Sequence, residues 1–223
     1  MPALYPTEDT GDIIGNMKKE SKAGFFAEVL ILTASLQFLR HISVVSLTPL
    51  FGGGDFAARM GNMVVMAALA GATALYARLR NIPLKFFPVK FTKSYIIYTI
   101  IFSALLICAP INYIGGIRAI MLQIYGSIIT PLFEEILFRG YIWERSQKAF
   151  SSGKAVYSVN IALFTLWHLG YMTTQSASGN TMAVLTKLAA GAGYGAVLGF
   201  IRLKKGCCYP AFLTHGLLNL FMI

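Results

Sequence analysis

Acidic side chains are scarce in this chain: 9 Asp and Glu stand against 19 Lys and Arg, and after Asp55 only Glu134, Glu135 and Glu144 follow. Charge of either sign is sparse, at 13% of residues, while 56% are apolar and the mean hydropathy is +0.64. That balance excludes an ordinary soluble domain and indicates a membrane protein. Three cysteines, Cys108, Cys207 and Cys208, provide neither a disulfide framework nor metal-ligand spacing. Period-2 alternation is missing from the apolar runs, which excludes a barrel and leaves helices as the way to satisfy the backbone in lipid.

What is present is a succession of uncharged runs: 60–77, 94–117, 119–133, 155–186, 188–201 and 206–223. A span needs roughly 20 apolar residues, so the expected fold is an all-α polytopic bundle of about seven transmembrane helices. The first span, over 24–51, is interrupted by Glu28 and Arg40-His41 and is expected as one long helix or two short ones. Residues 1–22 are polar, lack the apolar core of a secretory signal, and are expected to form a tail. Residues 23–223 show no repeat or long linker and are expected to form a single domain. The chain stops four residues after Asn219, so a short last span is expected.

The formal charge of +10 follows the membrane better than it follows nucleic acid. Basic residues gather in alternate segments: Lys18, Lys19 and Lys22, then 78–93, then 145–154, then 202–205. Arg40, Arg59 and Arg118 are left for the opposite side. The positive-inside rule then predicts a cytoplasmic N-terminus. No aromatic-basic reading surface accompanies the charge, so no nucleic-acid partner is expected. The lipid bilayer is the expected surrounding, and the 78–93 loop suits anionic headgroups. Gly191, Gly193, Gly195 and Gly199 predict close helix packing, within the bundle or between chains, and leave the oligomeric state open.

Carboxylates in hydrocarbon need partners, and partners around buried acids point to chemistry. In Glu134-Glu135-Ile-Leu-Phe-Arg139, helical spacing sets Glu135 facing Arg139, while Glu134 points about 100° away from that pair. Phe164 and His168 are four apart in a later span, and His215 and Asn219 share a face in the last. Each group by itself suits helix-to-helix hydrogen bonding. Together they supply a carboxylate base, imidazoles to hold water, and donors for an oxyanion, the parts of a peptide-bond hydrolase.

The order EExxxR, FxxxH, HxxxN, with 34 positions from Glu134 to His168, resembles the CAAX-protease and bacteriocin-processing family of glutamate-dependent intramembrane endopeptidases over about 127–223. The resemblance implies that Glu134, assisted by His168, activates water, that His215 and Asn219 stabilise the oxyanion, and that Glu135 and Arg139 orient Glu134 or engage substrate. Phe164 would pack beside them. It implies no cofactor and no metal, a peptide or lipidated protein substrate in the membrane, prenylated CAAX-type or otherwise, and a site reached from the cytoplasmic side. A zinc protease using His168, His215 and Glu134 is an alternative, although no HExxH is present. A proton-coupled transporter and a noncatalytic immunity or scaffold protein are the others; no inverted repeat supports the transporter.

Overall fold

The computed structural model describes residues 21–171 and 180–222. The polar tail expected over 1–22, with Lys18 and Lys19, lies outside the described residues apart from Ser21 and Lys22. Seven main helices follow in order: α1 (Lys22–Leu47), α2 (Gly54–Leu79), α3 (Lys93–Cys108), α4 (Gly116–Ala149), α5 (Gly153–Trp167), α6 (Thr181–Lys205) and α7 (Tyr209–Met222). The protein is an all-helical polytopic membrane protein. Among the described residues, five segments are long and apolar enough to cross a bilayer: Lys22–Phe51, Gly54–Leu79, Lys93–Ile114, Gly116–Ala149 and Thr181–Lys205. The other two helices, α5 and α7, have 15 and 14 residues, shorter than a full crossing.

The first span is one helix, α1, continued by a 3₁₀ turn at Thr48–Phe51. Its two interruptions are absorbed by other helices. Glu28 accepts hydrogen bonds from Tyr141 and Arg145 of α4 and lies 3.7 Å from the Arg80 guanidinium. Arg40 is also drawn inward and does not lie in an outer loop, because Gln37, Asn62 and the Gly170 carbonyl accept its N–H groups at 3.0, 3.4 and 3.2 Å. A guanidinium in an apolar span is tolerable only with such acceptors.

Helix α4 runs through the middle of the bundle and carries both catalytic-candidate acids. It has 34 residues but is not a uniform α-helix: π-helical turns at Tyr125–Ile129 and Ile136–Ile142 bracket Thr130–Glu135. Around it packs the core of Phe133, Leu137, Phe138 and Tyr141 from α4, Val29 from α1, Met66 and Leu69 from α2, and Phe164 and Trp167 from α5. Helices α5 and α6 lie close because small residues let them. A Cβ on Gly195 would stand 3.3 Å from the Ile161 Cα, and one on Gly199 would stand 3.1 Å from the Tyr157 ring. Gly191 serves the same seam, whereas Gly193 faces open space.

One end of the bundle is tied by ion pairs. Arg202 of α6 donates to Glu144 at 2.6 Å and to the Arg139 carbonyl at 2.9 Å, and Lys85 reaches the other Glu144 oxygen at 3.0 Å. Cys207 and Cys208 are buried here, and burial pushes the Cys208 thiol up to about 12. Neither sulfur is presented for acylation. Glu144→Ala leaves the buried Arg202 without its carboxylate, and should destabilise the fold by about 3–5 kcal/mol. Replacing both partners with Leu should recover part of that loss, read as the thermal midpoint in detergent.

Candidate active site

Glu134 and Glu135 sit at the end of the short α-helical stretch between the two π turns, and both are buried. Glu135 Oε1 accepts from Arg139 Nη1 at 3.1 Å and from His215 Nδ1 at 2.9 Å. The acid therefore joins its own helix to α7. Glu135 pairs with Arg139 four residues on, as helical spacing expects, and the same oxygen also holds His215. Arg139 is fully buried with its guanidinium 4.1 Å above the Phe164 ring centroid, a cation–π contact. Phe164 also meets His168 and His215 edge-on, with centroids 4.8 and 6.1 Å apart. It is the apolar spacer among the three polar groups.

Glu134 faces another way. Its Oε1 accepts from the indole N–H of Trp167 at 3.3 Å, and its Oε2 lies 3.7 Å from His215 Nε2. That second separation permits a charge interaction and is too long for a direct hydrogen bond. The ring of His215 is thus strung between the two glutamates, Nδ1 toward Glu135 and Nε2 toward Glu134. Because the Glu135 carboxylate takes a hydrogen from Nδ1, the ring can donate from Nε2 only as an imidazolium.

His168 caps the end of α5. Its Nδ1 lies 2.8 Å from the Phe164 carbonyl, which can only accept, so the hydrogen sits on Nδ1 and the neutral ring has its lone pair on Nε2. Gly191 of α6 makes room for this ring: a Cβ there would stand 3.2 Å from His168 Nδ1.

Asn219 is positioned by an irregularity in α4. The Thr130 N–H bonds Tyr125 O, five residues back, and the next residue, Pro131, has no N–H. The positions that would normally donate to Gly126 O therefore supply nothing to it. Asn219 Nδ2 fills the gap at 2.8 Å. One turn away, Gly216 packs directly on the Ser127 carbonyl, which a Cβ would strike. The π turn exposes backbone, and α7 docks on it.

Glu134, His168, His215 and Asn219 all line one cavity of about 360 Å³. Tyr125, Gly126, Thr130, Lys187, Gly191 and Tyr194 complete most of the wall. Of the residues anticipated from sequence, Glu135, Arg139 and Phe164 stand behind the wall. Trp167 and Tyr125 were missed. Trp167 had a signal, its i+3 spacing from Phe164, but it was passed over for the neighbouring His168. Tyr125 had none, since its hydroxyl is reached from α2 through Asn62. Among the described residues, no three His, Cys, Asp or Glu side chains converge as a metal-holding group.

The Asn219 hook makes a checkable statement about stability. Asn219→Ala leaves Gly126 O without its donor and should cost about 1–3 kcal/mol. Pro131→Ala restores a backbone N–H to α4, so the double variant should be more stable than Asn219→Ala alone in thermal unfolding. Gly216→Ala should lower stability by a similar amount through the clash with Ser127.

No curated protein and no solved structure matches the chain. A family model does: residues 116–221 match the type II CAAX prenyl endopeptidase Rce1-like family. The match begins at the first residue of α4 and takes in α5, α6 and nearly all of α7, so every side chain of the EExxxR, FxxxH and HxxxN groups falls inside it. Over residues 116–221, from α4 to α7, the chain is similar to the Rce1-like family of type II CAAX prenyl endopeptidases.

Proposed function

We propose that the protein is an intramembrane endopeptidase in which Glu134 activates water against a peptide carbonyl. The observation that carries this reading is the convergence of Glu134, His168, His215 and Asn219, from three helices, on one cavity. Similarity to the family over residues 116–221 supports peptidase chemistry in general; the individual roles rest on geometry and on the chemistry of the groups.

Water in the cavity gives one proton to the Glu134 carboxylate as its oxygen bonds to the carbonyl carbon. The His168 Nε2 lone pair accepts the other hydrogen of that water and aims it. The carbonyl oxygen becomes an oxyanion, for which His215 as imidazolium offers Nε2–H and Asn219 offers the N–H not used on Gly126 O. Glu135 supports the positive charge on His215, and Arg139 keeps Glu135 in place. When the tetrahedral intermediate collapses, the C–N bond breaks and the proton held by Glu134 passes to the leaving amine. Trp167, donating to Glu134 Oε1, holds the carboxylate through both steps.

The substrate is a membrane-associated peptide segment, prenylated or not, since the cavity sits within the bundle and the family acts at prenylated C-termini. The chemistry proceeds without a metal.

The test is cleavage of a panel of lipidated and unlipidated peptides in liposomes. Glu134→Gln should abolish turnover, and equal turnover by wild type and variant would end the assignment. Asn219→Ala should lose about 10²-fold in rate, near 3 kcal/mol for one oxyanion donor. Glu135→Gln should lower kcat through His215 with less effect on KM. Phenanthroline should leave wild-type activity intact; loss reversed by Zn²⁺ would replace the metal-free mechanism with the zinc one.

A further inference from the structure

The cavity is not centred in the bundle. On α6 it is lined by Lys187, Ala190, Gly191 and Tyr194, in the half nearer Thr181. Lys187 lies about 9 Å from that end of the helix and Tyr194 about 20 Å, at 1.5 Å per residue. On α5 the lining residue is His168, at the end remote from Gly153, and on α4 it is Tyr125, Gly126 and Thr130, on the Gly116 side of Glu134. Exposure follows the same gradient: Lys187 is exposed, whereas Glu134, Gly191 and His215 are buried.

The opposite half is closed. Beyond His215 come Glu135 and Arg139, both wholly buried, and beyond them Arg202 spans the Arg139 carbonyl and Glu144. Two ion-paired layers thus separate the cavity from that end of the bundle.

It is the closed end that carries the basic residues. Arg78, Lys148, Lys204 and Lys205 occupy the last turns of α2, α4 and α6, with Lys85 and Lys90 in the loop before α3. Contacts tie these segments to one rim: Lys22 lies over Phe150, Arg80 reaches Glu28, and Cys208 N–H donates to Lys85 O. The other rim has fewer: Arg118 over Phe56, Arg59 beside Asp55 near the start of α2, and Lys187 on α6. Clustered Lys and Arg at span ends stay on the cytoplasmic side.

We propose that the catalytic cavity opens to the extracytoplasmic half of the membrane, so that its substrates are peptide segments presented at the outer leaflet. This reverses the cytoplasmic access expected from the family resemblance. That the occupant is a peptide rests on the peptidase reading above; the side of opening does not.

Cysteine accessibility in intact bacterial cells decides it. In a Cys108→Ala background, Lys187→Cys should react with a membrane-impermeant maleimide added outside, and Lys154→Cys should react only after permeabilisation. Modification of Lys154→Cys in intact cells, or protection of Lys187→Cys until permeabilisation, overturns the proposal. Should Lys187→Cys fail to fold, alkaline phosphatase fused after Ile223 of the otherwise unaltered chain is expected to be active, and an inactive fusion beside a fluorescent green fluorescent protein fusion overturns it equally. None of these readouts requires catalysis. Failure of the peptidase reading would appear separately, as equal cleavage by wild type and Glu134→Gln.

Discussion

A single carboxylate with no access to water, that of Glu135, is the point on which the arrangement turns. An ion in a low-dielectric interior costs several kcal/mol unless opposite charge and hydrogen bonds meet it. Glu135 is met on its own helix by Arg139 and from α7 by His215. Arg139 is in turn covered by the Phe164 ring of α5. The requirement to neutralise one acid thus sets the mutual rotation of three helices. The same contacts leave Glu134 on the cavity side, with Trp167 on one oxygen and His215 near the other.

Backbone satisfaction supplies the second constraint. In lipid, a carbonyl that loses its helical donor needs another. Pro131 removes a donor from α4, the helix relaxes into a π turn, and the side-chain amide of Asn219 takes up the exposed Gly126 oxygen. Gly216 gives α7 the closeness this needs. A local break in one helix thereby becomes the docking surface for another, and the residue that makes the repair is one of those lining the cavity. The buried Arg202–Glu144 pair does similar work farther along, gripping the Arg139 carbonyl so that the second π turn keeps its place.

These ionic layers also polarise the protein along the membrane normal. Charge networks fill one half, Glu28 with Arg145 and Glu144 with Arg202 and Lys85, across three helices and a loop. The other half holds the cavity, with aromatic and small residues on its wall. A bundle that is ion-paired at one end and hollow at the other opens its cavity from one direction only.

Composition and hydrophobic run length were enough to establish a helical membrane bundle, because the cost of exposing backbone and charge to lipid is paid segment by segment. Helical periodicity within a segment was enough to pair Glu135 with Arg139 and to set His215 and Asn219 on one face. Periodicity does not reach from one helix to the next. That Arg40 turns inward to Asn62 and Gly170, that Trp167 is the donor to Glu134, that Glu135 holds His215, and that Gly193 alone of its group faces away were decided by helix rotation and packing. So was the depth of the cavity. A sequence carries the periodicity of each helix, while the phase between helices is a property of the folded bundle, settled by which buried polar groups can satisfy one another.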